Sequence, residues 1–156
     1  CHSVVISLKI YYLFEVISMS TAQKKAVGLI SKYKSRDPRF IAKQLGIQII
    51  EKPLPARMSG FLCTESSYSF IIINRNLNEG KKRYAIAHEL GHYCLDPNYE
   101  LCMHLSDNIR ATKSEKRADL FAAYLLIESF AGETWEIAEK YDVTEELIAK
   151  VRDELC

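Results

Sequence analysis

The run Tyr84-Ala85-Ile86-Ala87-His88-Glu89-Leu90-Gly91-His92-Tyr93-Cys94-Leu95 constrains what this chain can fold into more than any other stretch. Its apolar character, followed by the stop Asp96-Pro97-Asn98, predicts a helix from Lys81 to about Leu95 with a face turned to the interior. Histidine and glutamate are costly in such a place unless paired or ligated. On a helix, positions i and i+4 share a face, so His88 and His92 stand one turn apart. Two imidazoles so placed can hold one Zn²⁺ at about 2.0–2.1 Å each. Glu89 lies about 100° further round. That is beside an ion rather than on it, where a carboxylate can take a proton from metal-bound water. The bland alternative is two half-exposed histidines and a solvated acid, and it fits the apolar flanks poorly.

A catalytic zinc needs a third protein ligand and an open position. The extension with Gly and His three and six residues after the second histidine is missing, since Leu95 and Asn98 stand there. The better source is a long helix expected from Thr112 to about Ser129, containing Ser114-Glu115-Lys116-Arg117-Ala118-Asp119-Leu120-Phe121-Ala122-Ala123. Glu115 and Asp119 repeat the i, i+4 spacing. Glu115 is placed to reach the metal. Asp119, one turn on, is placed to accept the free N–H of a ligating histidine and fix its tautomer. The small residues Ala118, Ala122 and Ala123 allow this helix to pack closely on the first. Two alternatives stand beside this reading. Thr112-x-x-Glu115 has the form of a capping box, which would occupy Glu115 at a helix start. Asp119, His104 or Asp96 could also supply the third ligand.

The rest of the chain is ordinary. A length of 156 residues, 48% of them hydrophobic, suits one domain with a real core. The net charge of +1 argues against a dedicated nucleic-acid binder. It is unevenly spread: residues 128–156 are net −6 and the remainder net +7. The five cysteines are odd in number and form no CxxC pair, so a reducing compartment fits best. Cys102-Met103-His104 reads as a buried thiol beside a surface histidine rather than a metal clip. Residues 4–17 are apolar but too short and too interrupted, by Lys9 and Glu15, to span a membrane. Met19 precedes Ser20-Thr21-Ala22-Gln23, an S-x-x-Q capping box. We therefore expect residues 1–18 to be an upstream, non-native extension and residues 19–156 to be the domain. Helices are expected over 20–34 and 37–45, and strands over 47–51, 60–64 and 68–74, the last two as a hairpin. A loop follows over 74–80, then irregular chain over 97–111 and short helices over 134–141 and 144–155. The sum is one α+β domain with a small antiparallel-type sheet and about six helices.

The run RYAIAHELGHYCLDPN followed by SEKRADLFAAYLL resembles the ImmA/IrrE family of bacterial and phage zinc metallopeptidases. That family pairs an AHELGH helix with a downstream E-x-x-A-[N/D/S]-x-F-A-x-x-L-L helix. Weaker likenesses, RDPRFIAKQLGIQI, SFIIINRNL and IAEKYDVTEELIAKVRDEL, extend the coverage to about residues 20–155. The resemblance implies a zincin-like fold, Zn²⁺ on His88, His92 and Glu115, and Glu89 as general base. It also implies a cytoplasmic endopeptidase that cuts a DNA-binding, helix-turn-helix type repressor of a phage or mobile element. Two departures are visible. Asp96 stands where the family often has His, and Leu125-Leu126-Ile127-Glu128-Ser129 replaces the usual LLMP continuation.

Peptide hydrolysis also needs a donor for the oxyanion, for which Tyr84, Tyr93, Tyr124 and His104 are candidates. The strand 68–74 is a plausible edge for an extended substrate to pair with. Three rival classes remain. The first is a metal-binding anti-repressor that holds its partner without cutting it. The second is a DNA-binding module formed by the C-terminal helices, which their negative charge disfavours. The third is a membrane-anchored form using residues 4–17.

Overall fold

The computed structural model describes residues 19–65, 67–96 and 108–155. Ser20 caps helix α1 (Thr21–Tyr33), its hydroxyl accepting from the Gln23 N–H at 3.2 Å. Asp37 caps α2 (Pro38–Gln44), with Pro38 in the first turn, where a missing N–H costs nothing. Gly46, at φ 75°, turns the chain out of α2 into β1 (Ile47–Lys52). Strands β2 (Gly60–Glu65) and β3 (Tyr68–Asn74) make the expected antiparallel hairpin, with Gly60 opposite Ile73 and Glu65 opposite Tyr68.

The sheet as a whole is mixed. β1 joins β3 in parallel, with Ile47 beside Ser69, and the strand order is β1-β3-β2. The strand 68–74, expected as an edge, is therefore the central one. Its sequence supplies the reason, because the unbroken apolar run Phe70-Ile71-Ile72-Ile73 suits a strand covered on both sides. At its end the buried Asn74 amide donates to the carbonyls of Leu54 at 3.2 Å and Met58 at 3.0 Å, which holds the 53–59 loop closed.

Helix α3 (Glu79–Leu95) starts two residues before Lys81, because Asn78 caps it by accepting from the Lys81 N–H at 2.9 Å. Helix α4 (Asn108–Leu126) starts before Thr112, so the expected irregular stretch ends sooner. Thr112 is inside the helix and Glu115 lies roughly two turns in. Neither stands at a helix start, which removes the capping-box alternative. Helices α5 (Thr134–Tyr141) and α6 (Glu145–Leu155) complete the described chain. His104 and the rest of 97–107 lie outside the described residues, as do residues 1–18. No helix among the described residues is long and apolar enough to cross a membrane.

The core is built round α4, where Ala118 and every residue from Leu120 to Leu126 are buried. Helices α1, α3 and α6 all pack on it, and the sheet lies against α3 through β2 and β3. Leu147, Ile148 and Val151 commit the apolar face of α6 to this core. The Arg36 guanidinium donates to the carbonyls of Tyr124 at 3.0 Å, Leu125 at 3.1 Å and Ile127 at 3.1 Å. It thereby satisfies the acceptors that a helix end leaves over. Lys82 bridges Glu51 at 2.9 Å and Glu79 at 3.1 Å, and Arg39 joins Glu51 at 2.7 Å, tying α2, β1 and α3 together.

Gly91 of α3 packs directly on the Ala118 backbone of α4. A Cβ at position 91 would lie 2.9 Å from the Ala118 Cα and 3.3 Å from its Cβ. Such overpacking costs about 1–3 kcal/mol. Gly91→Val is expected to lower the unfolding free energy by about that amount, read from urea denaturation.

Candidate metal centre

The Gly91–Ala118 contact brings the polar faces of α3 and α4 to hydrogen-bond distance. His88 Nε2 lies 3.1 Å from His92 Nε2. Glu115 from α4 closes the group, its Oε2 at 3.1 Å from His88 Nε2 and its Oε1 at 3.2 Å from His92 Nε2. His92 is 1% exposed. Glu115 keeps half of its side chain in solvent, so the group is buried at the back and open at the front.

Each imidazole has an acceptor on its other nitrogen. His88 Nδ1 is 2.9 Å from Asp119 Oδ1 and His92 Nδ1 is 3.3 Å from Asp96 Oδ2. Asp119 also accepts from the Tyr84 hydroxyl and from Lys150 of α6 at 2.6 Å. Burial works against the Asp119 carboxylate, but these donors hold it down at about 2. Burial, and then the same Asp119 bond, push the Tyr84 phenol far above its ordinary value, so it stays protonated as a donor. The His88 and His92 imidazoles against its two oxygens hold Glu115 well below the usual carboxylate range.

These residues fit a small divalent cation. With Nδ1 of each ring donating to a carboxylate and no proton on Nε2, the two Nε2 atoms would present lone pairs to each other and to Glu115. Three acceptors that close together call for a positive charge between them. Tetrahedral donors at about 2.0–2.1 Å from zinc are spaced by roughly 3.3 Å, close to the 3.1–3.2 Å found. The charges agree. Glu89, Asp96, Glu115 and Asp119 set against Arg117 and Lys150 leave net −2 around the imidazoles. Among the described residues, the group able to hold a metal ion is His88, His92 and Glu115.

Glu89 stands next to this group and is only 7% exposed. Its Oε2 is buried without a hydrogen-bond partner in the protein. Burial pushes its carboxyl up, opposed by the charges of His88 and His92 and by the Leu62 N–H of β2. Burial thus makes this carboxyl a better proton acceptor than an exposed glutamate.

The remaining expectations divide. Of the four oxyanion candidates, Tyr84 comes to the site, while Tyr93 packs on the core and Tyr124 is buried with its ring 5.8 Å from that of Phe130. Asp96, weighed only as a substitute ligand, lies on the outer side of His92 instead. Sequence reasoning passed over Lys150, Ser114 and Arg117. Lys150 carries no local signal, because 31 residues separate it from Asp119.

The profile of the IrrE N-terminal-like domain, peptidase family M78, matches residues 42–151. The chain belongs to that family. A protein of Bacillus phage phi105, called "Uncharacterized immunity region protein 2", is 33% identical over 100 residues. The match spans 64% of this chain and 63% of the phage protein's length.

Without metal, burial would lower the His88 imidazole, but its bonds to Asp119 and Glu115 and the charge of Glu89 hold it up at about 9. Metal must displace that proton. Zinc added at pH 7 is therefore expected to release about one proton per ion from His88, and affinity should rise as pH climbs towards 9. Calorimetry in two buffers of different ionisation enthalpy checks this, and uptake without proton release would contradict it.

Proposed function

We propose that this member of the M78 peptidase family is a zinc-dependent endopeptidase that cuts a protein substrate. The observation that carries the reading is the convergence of His88, His92 and Glu115 beside a buried Glu89 with one unpartnered oxygen. His88, His92 and Glu115 would hold the zinc. Zinc there supplies a lowered water pKa and a polarised scissile carbonyl.

The chain's own residues supply the rest. Glu89 takes a proton from the attacking water and passes it to the leaving amine. Asp119 keeps the His88 Nδ1–H in place. Tyr84 has one hydroxyl proton, given to Asp119, and would donate to a developing oxyanion by turning that proton away from Asp119. The substrate strand would lie along β2. In the hairpin register, with Asn74 N–H on the Ser59 carbonyl, the backbone groups of Gly60, Leu62 and Thr64 point away from β3. The Leu62 N–H reaches Glu89, so this edge runs beside the general base.

The substrate we propose is a DNA-binding repressor of a phage or mobile element. The phage relative's name refers to an immunity region, and the family resemblance implies such a target. The test is incubation of zinc-loaded protein with any helix-turn-helix repressor found encoded beside it, with products read by mass spectrometry. We expect cleavage at one or a few bonds. A partner that stays bound and intact would favour a non-cleaving anti-repressor. Glu89→Gln is expected to keep its zinc and lose about 10²–10⁴-fold in turnover. Retained turnover would remove Glu89 as the base.

A further inference from the structure

The two histidines of the site are oriented by different parts of the chain. Asp119 lies on α4, one turn beyond Glu115. Asp96 lies on α3, at its C-terminal cap, four residues after His92. An acid at that end of a helix opposes the macrodipole, so helix stability does not account for it. It is held from α4 instead. Ser114 Oγ donates to Asp96 Oδ2 at 2.5 Å, and Arg117 donates to Asp96 Oδ1. Ser114 and Arg117 flank Glu115, so one turn of α4 carries both the third ligand and the clamp on Asp96.

The protons decide what this does. Ser114 has one hydroxyl proton and gives it to Asp96. Its oxygen, 3.2 Å from His92 Nδ1, therefore faces that nitrogen as an acceptor. Asp96 Oδ2, 3.3 Å away, is an acceptor as well. With two acceptors beside it, Nδ1 carries the ring's N–H, and the Nε2 lone pair points at His88 and Glu115.

We propose that Asp96, clamped by Ser114 and Arg117, is a positioning residue that fixes the His92 tautomer needed for metal binding. The role rests on the metal reading above and adds to it a specific function for the residue that replaces the family's frequent histidine.

The test uses the full chain, chelator competition for zinc affinity, and long-range ¹H–¹⁵N spectra for the His92 tautomer. Asp96→Ala is expected to weaken zinc binding about 10–100-fold. Asp96→Asn is nearly isosteric and guards against misfolding of the alanine variant. With Arg117 claiming its oxygen, the new amide would turn its NH₂ to His92 and drive the proton to Nε2. Asparagine should therefore weaken zinc at least as much as alanine, with an Nε2–H signal in the metal-free protein. Adding Arg117→Ala to Asp96→Asn frees the amide to rotate and should recover part of the affinity. A purely structural role would make the double variant worse. Wild-type affinity in both single variants, or no recovery in the double variant, overturns the assignment to Asp96 and leaves the metal site standing. A wild-type protein that takes up no zinc overturns the metal reading and this role with it.

Discussion

The distance between α3 and α4 is the constraint on which the rest depends. His88 and His92 stand on one helix, and Glu115 and Asp119 on the other. Their side chains meet at 2.9–3.2 Å. Helices usually pack 8–10 Å apart, depending on the side chains between them. Gly91 against Ala118 leaves no room for a Cβ between them. The contact that completes the core is therefore the one that assembles the polar cluster. The same burial removes water from behind the imidazoles and strengthens every bond they make.

Much of this was readable where the signal was local. Two histidines and an acid at helical spacing, small residues on a second helix, and caps at Ser20 and Asp37 each act within one or two turns. The α+β class and the hairpin followed from the same short-range patterns. Long-range pairing was not readable. The parallel docking of β1 on β3 is fixed by tertiary contacts, and it turned an expected edge strand into the centre of the sheet. The start of α4 was read late, because Thr112 mimics a cap that the helix does not use. Asp96 was visible as an oddity, yet its part in the site depends on Ser114 and Arg117, 18 and 21 residues further along.

The C-terminal segment, residues 128–156, is the acidic part of the chain. Its net charge is −6, but the helix that carries part of it is anchored through Leu147, Ile148 and Val151. Lys150 sits in that negative stretch and turns its ammonium onto Asp119. An acidic segment thus supplies one of the donors that hold Asp119 against His88.

The Arg36 contact has a consequence for register. Its guanidinium binds carbonyls from the last turn of α4, while Glu115 lies ten residues earlier, about 15 Å along the axis at 1.5 Å per residue. Arg36 acts as an end stop, and a slip of one turn, about 5.4 Å, would carry Glu115 out of reach of both imidazoles. Arg36 thus adds a fixed point at the far end of the helix to the packing that places Glu115, although it touches none of the chemistry.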